Sequence, residues 1–243
     1  MINWTPDGIR FLRDAAIYTG FYDELARRAA SYSEAGDSVC DAGCGIGFLA
    51  MALSRLGRNV TAADISSEAI EALKENSGDL LGSGLQAWNG DVFAMPPETR
   101  FDSMVFCFFG SVIQTLQTAK RHCRGTVVMF KKNWRMRRFT TSPEPNHRVR
   151  FTEASDRLAA LGVPFESSSF DLEMGQPFRS FEDALLFFGL YGKDPDPGLV
   201  RSRLTATDSP QFPLFLPERK SVGLIAIDSG KIPDSIFEEN EDE

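Results

Sequence analysis

A chain of 243 residues, 42% hydrophobic and 25% charged, suffices for one domain of ordinary size or one domain with an appendage and has the balance of a soluble globular protein. Its formal charge of −8 argues against a protein whose main task is to grip a phosphate backbone, and no long uncharged apolar run is present to span a membrane. The four cysteines, at 40, 44, 107 and 123, make no Cys-x-x-Cys pair, which argues against structural zinc and a secreted disulfide framework. Asp7, Arg10, Arg13 and Asp14 interrupt any signal-peptide core, so a cytoplasmic protein is expected.

Residues 1–35 read as an N-terminal helical lid segment, with Pro6 a helix start and helices near 7–15 and 19–31. A strand at 38–41 then enters a turn carrying Gly43, Gly45 and Gly47, followed by a helix at 48–56 closed by Gly57. Next come a strand at 59–64, a helix capped by Ser66 or Ser67, a strand at 85–88, the Gly90-Asp91 turn and a wholly apolar strand at 104–109. A helix at 111–122 and a strand at 126–130 continue the alternation, which predicts a doubly wound, mostly parallel α/β sheet. Beyond it lie a basic and aromatic excursion at 131–150 and a helix at 152–161 with Thr152 and Ser155 as competing N-caps. An extended segment at 163–172, a helix at 180–190, a proline-rich excursion at 192–219 with one short helix, and a strand at 221–228 complete the pattern. The main domain is thus expected over 36–230, followed by an acidic tail at 231–243.

The glycine turn is where chemistry is expected. Glycines there allow positive φ and keep side chains away from the backbone, and the free N–H groups of the next helix face whatever binds. A dinucleotide site needs Gly-x-Gly-x-x-Gly, but Phe48 stands at the last position, and the Asp41 carboxylate is poor company for a pyrophosphate. A ligand with a cationic or neutral portion is favoured.

The run from Asp41 to Gly47 resembles motif I of the class I S-adenosylmethionine-dependent methyltransferases. Residues 36–130 follow that family's order of motifs. The resemblance implies a Rossmann-like, seven-stranded methyltransferase fold whose last strand is antiparallel between the fifth and sixth. It also implies S-adenosyl-L-methionine as cofactor, its methionine portion over Gly43, Cys44, Gly45 and Gly47, with Asp41 orienting the loop or accepting from the ammonium. Asp64 accepts the ribose hydroxyls by the same resemblance, its other reading being a helix-initiating cap, and Ile65 packs on the adenine. Gly90, Asp91 and Val92 meet the adenine edge or form only a turn. Tyr18 and Tyr22 close over the sulfonium or pack in the core, Cys44 is a small filler, and Cys107 opens the strand-four exit.

That exit, Cys107 to Gly110, lacks the polar-Pro-Pro-aromatic run that methyltransferases of DNA amines resemble one another in. Nucleic acid is therefore disfavoured and a small-molecule acceptor expected, with Phe108 and Phe109 lining its pocket or packing in the core. The 131–150 stretch reads either as a solvated basic loop or as a rim for an anionic substrate, Trp134 stacking. An RNA or protein methyltransferase is the alternative within the same chemistry, and a non-catalytic S-adenosylmethionine-binding partner subunit the alternative from another class. His147 and Tyr191 are the candidate bases. No catalytic residue, metal site or oligomeric state follows from the sequence.

Overall fold

The computed structural model describes residues 4–133, 150–191 and 195–239. In chain order its elements are α1 (Pro6–Thr19), α2 (Phe21–Ala30), β1 (Ser38–Ala42), α3 (Phe48–Arg55), β2 (Asn59–Asp64), α4 (Ser67–Ser77), β3 (Leu85–Asn89), β4 (Ser103–Cys107) and α5 (Val112–His122). These are followed by β5 (Thr126–Lys132), α6 (Arg150–Ala160), β6 (Glu166–Glu173), β7 (Gln176–Phe178), α7 (Phe181–Tyr191), α8 (Pro197–Arg203), β8 (Thr205–Ala206), β9 (Leu214–Leu216) and β10 (Arg219–Asp228).

Seven strands form one sheet in the order β3-β2-β1-β4-β5-β10-β6. The first five pair in parallel, and β10 runs antiparallel beside β5, from Val222 opposite Lys132 to Asp228 opposite Thr126. This is the expected sheet with its late strand inserted between the fifth and sixth. From β1 the chain steps outward to β2 and β3, and from β4 it steps the other way to β5. Right-handed crossovers therefore place α3 and α4 on one face and α5 on the other. The reversal falls between β1 and β4, and the crevice beyond their carboxyl ends is where open sheets of this kind take ligands.

The chain divides into two compact units. One comprises residues 22–132, 150–169 and 222–239. Its core on one sheet face uses alternate strand positions, Cys40 and Ala42, Met104 and Phe106, Val127 and Met129, Ile225 and Ile227, against Ile113, Leu116 and Leu158 of the helices. The other comprises 4–21, 133, 170–191 and 195–221. There Phe11, Phe178, Phe187, Phe188 and Leu216 form a separate aromatic core, and β7, β9 and β8 make a small antiparallel sheet. The leader thus divides between the two units, and the 192–219 excursion contains two strands as well as its short helix.

Three local expectations need correction. Strand four stops at Cys107, because Phe108 takes φ +55° and Gly110 φ +69°, which turns the chain out of the ladder. Helix α6 begins at Arg150, so neither Thr152 nor Ser155 caps it, and the Ser155 hydroxyl donates back to the Phe151 carbonyl at 3.0 Å. Strand five continues through Lys131 and Lys132, so the first residues of the expected basic loop are strand. Trp134 and His147 lie outside the described residues, as does the side chain of Tyr191.

Candidate functional site

Strand alternation decides where Asp41 points. Cys40 and Ala42 belong to the apolar core on one face, so Asp41 projects to the other, where it is 1% exposed. Both carboxylate oxygens lack a hydrogen-bond partner among the described residues. Burial raises the acid to about 7, the Ala50 backbone N–H opposes the rise without closing a hydrogen bond to either oxygen, and the nearby Asp64 adds to it. An unpaired carboxylate at this depth is costly unless a cation joins it.

Beyond Ala42 the chain takes positive φ at Gly43, Gly45 and Gly47, which explains the spacing of the three glycines. The Gly43 and Cys44 N–H groups donate to the Ala63 carbonyl at 2.8 and 3.0 Å, seating the turn on the end of β2. The Gly45 N–H donates to the Asp64 carboxylate at 2.8 Å, and the other Asp64 oxygen accepts from the Ser66 N–H at 2.9 Å. Helix α4 is capped by Ser66, whose hydroxyl accepts from Ala69 N–H, so Asp64 is a brace and not the cap. Gly47 precedes α3 with no side-chain cap, leaving the first helical N–H groups facing the turn.

At two of the three glycines the fold adds a steric reason to the conformational one. A Cβ added at Gly43 would overlap the Phe109 ring, and one at Gly47 would overlap Leu73. At these two positions the protein itself fills the space a side chain would take.

The loop after β3 is organised by the same strand end. The Gly90 N–H and the Asn89 amide both donate to the Asp64 carbonyl at 3.0 Å, and Asn89 also reaches the Ile65 carbonyl at 3.1 Å. Asp91 is exposed and one of its carboxylate oxygens accepts from the Phe93 N–H at 3.0 Å, a local turn bond. Val92 is 3% exposed in the core, while Ile65 is 55% exposed beside the strand end.

Other candidates distribute as follows. The partly buried Tyr22 ring stacks on Phe48 with centroids 6.0 Å apart, and burial together with the neighbouring Cys107 and Asp41 raises its phenol. Tyr18 lies in the other unit, against Phe212 and Phe215 at 5.8 and 5.2 Å. Burial raises the thiols of Cys44 and Cys107, which makes both poor nucleophiles. Among the described residues no group of His, Cys, Asp and Glu is placed to hold a metal ion, and no helix is long and apolar enough to cross a membrane. A polar cleft of about 540 Å³ lined by Asp37, Asp102 and Arg124 opens at the opposite ends of β1, β4 and β5, away from the glycine turn.

Lys131, expected at the start of a solvated basic loop or an anion-binding rim, is instead a buried strand residue. Lys131 is 5% exposed, and its ammonium donates to the carbonyls of Phe109 and Gly110 at 3.2 and 2.8 Å. Its signal was strand parity: Lys131 follows the core residues Val127 and Met129 at intervals of two.

Residues 39–125 match the family model described as a methyltransferase domain. The mitochondrial ubiquinone biosynthesis O-methyltransferase of Schizosaccharomyces pombe is 36% identical over 84 residues, which are 34% of this chain and 30% of that protein. The chain therefore matches less than a third of that relative's length. Among solved structures, the YcgJ protein of Bacillus subtilis aligns with 86% of this chain and 98% of its own at a TM-score of 0.51 and 15% identity. A precorrin-6y C5,15-methyltransferase of Geobacter metallireducens GS-15 aligns with 84% of this chain and 88% of its own at 0.51 and 12%. At such identities the structural likeness shows the fold, which is the Rossmann-like methyltransferase fold.

Proposed function

We propose, for a chain that has the class I methyltransferase fold and a methyltransferase domain at 39–125, that it binds S-adenosyl-L-methionine and transfers the methyl group to a small-molecule acceptor. The observation that carries this reading is Asp41: a carboxylate buried without a partner beneath a glycine turn suits a ligand that brings an ammonium.

The residues present fit that cofactor. Asp41 accepts from the ammonium. Gly45 presents its main chain to the methionine portion, with Gly43, Cys44 and Gly47 completing the turn. Asp64 keeps lone pairs beyond those used by the Gly45 and Ser66 N–H groups and accepts the ribose hydroxyls. Ile65 covers the adenine, and Asp91, Gly90 and the Val92 N–H meet its edge. The bound sulfonium supplies both electrophile and leaving group. What remains for the protein is to align the acceptor and exclude water, for which Tyr22, Cys107 and Phe109 form the nearest walls.

The acceptor reading follows the relative named for ubiquinone biosynthesis, whose chemistry is methylation at oxygen. The apolar strand exit, Phe108-Phe109, is compatible with an acceptor of similar aromatic or apolar character, and the 131–150 segment with an anionic group on it. A cytoplasmic setting accords with four free cysteines. The non-catalytic reading has one observation in its favour, the Phe109 ring lying on Gly43.

Calorimetric titration with S-adenosylhomocysteine tests the cofactor. Binding is expected, weakened about tenfold or more in Asp41→Ala. Absence of binding to the unaltered protein sinks the reading.

A further inference from the structure

The strand-four exit is built in a way that a simple loop does not require. The Phe108 N–H makes the last ladder bond, to the Phe130 carbonyl at 2.9 Å. The chain then turns through left-handed φ at Phe108 and again at Gly110. For phenylalanine that conformation is strained and persists only where the surroundings impose it. Its result is that two successive carbonyls, those of Phe109 and Gly110, converge on the Lys131 ammonium. The same turn sets the Phe109 ring parallel to Phe93 at 5.3 Å and 8°, and against the backbone of Gly43. Phe93 is itself tied to Asp91 through its N–H. One ring thus touches both the glycine turn after β1 and the loop after β3, the two segments to which opposite ends of the cofactor are assigned above.

We propose that Lys131 is a positioning residue for cofactor binding: by gripping the Phe109 and Gly110 carbonyls it holds the Phe109 ring as a brace between Gly43 and Phe93, which keeps the glycine turn and the Asp91 loop at a fixed separation. This rests on the cofactor reading of the site. Lys131 touches no reacting atom and acts only through Phe109. A charged donor makes the stronger bond to a carbonyl, so the brace is tightest while Lys131 is protonated. Burial, with Arg150 on α6 adding repulsion and Cys107 on β4 opposing it, lowers the Lys131 amine to about 8. The grip therefore slackens above that pH.

The test is titration of S-adenosylhomocysteine into the full chain and its variants on either side of pH 8. The unaltered protein is expected to bind less tightly above about pH 8. Lys131→Arg, which stays charged, is expected to show a shallower descending limb, keeping only the part that the ligand's own ammonium sets alike in every variant. Lys131→Met is expected to weaken binding about fivefold at pH 7, and to add little in a Phe109→Ala background, because both remove one brace. Equal affinity in Lys131→Met and the unaltered protein, or fully additive effects of the two substitutions, overturns the proposal and leaves the cofactor reading intact. If Lys131→Met does not fold, a Lys131→Arg variant with an unchanged descending limb overturns it. No binding to the unaltered protein at any pH takes both down.

Discussion

The Asp64 carboxylate accepts the Gly45 N–H with one oxygen and the Ser66 N–H with the other, at 2.8 and 2.9 Å. One side chain therefore joins the end of β2 to the glycine turn and to the start of α4. These two bonds make Asp64 a structural brace of the turn.

Asp64→Ala is accordingly expected to lower stability by about 1–2 kcal/mol, from two lost hydrogen bonds to a charged acceptor, and to weaken S-adenosylhomocysteine about tenfold or more. Asp64→Asn keeps one acceptor oxygen for the Gly45 N–H and should recover much of the stability while binding stays weak. Urea unfolding read beside calorimetry separates the two effects. Unchanged affinity in both variants removes Asp64 from the ribose.

For Asp41 the sign of the pH effect is fixed by its rise from 3.8 to about 7. The folded protein holds a proton there that the unfolded chain has lost, so this group makes stability fall as pH rises from about 4 to about 7. Above that window the cost is on the order of a few kcal/mol. Asp41→Asn should therefore be more stable than the unaltered protein at pH 8, yet bind the cofactor product worse. Affinity of the unaltered protein should strengthen as pH rises toward 7, and the Asn variant should show no such slope. A slope that survives the substitution assigns it to another group.

Gly43→Ala meets two obstacles, a φ of +68° and the Phe109 ring. A loss of about 1–3 kcal/mol is expected from strain and overlap together. Adding Phe109→Ala should return the overlap part and leave the strain. The denaturant midpoints of the three variants form the cycle, and strict additivity would show that the ring does not occupy that place.

In the other unit, Asp14 is 5% exposed and accepts from Arg179 at 2.9 Å, with Arg10 at 4.0 Å. Asp14→Ala leaves the Arg179 guanidinium, which is 39% exposed, short of its partner. A loss of about 1–3 kcal/mol is expected, below that for a fully buried pair because water reaches the arginine. Urea unfolding gives the number, and a shift under a few tenths of a kcal/mol would mean that water replaces the bond outright.

Periodicity and turn chemistry made the sheet legible in residues 38–130, because each strand, cap and glycine there is dictated by neighbours a few positions away. The small sheet of β7, β8 and β9 was not legible, since strands of two or three residues carry no period. The leader's division between two units was hidden for a related reason, its partners lying far along the chain.

By itself, then, the sequence determined that a strand carrying Asp41 ends in a glycine turn at residues 43–47, since backbone conformation and side-chain spacing are local matters. Only the tertiary structure decided that Asp41 is buried unpaired, that Asp64 is spent in part on the turn, and that Phe109, held by Lys131, stands on Gly43. Those facts depend on which strands lie side by side, and β1, β4 and β5 become neighbours only when the chain reverses direction across the sheet.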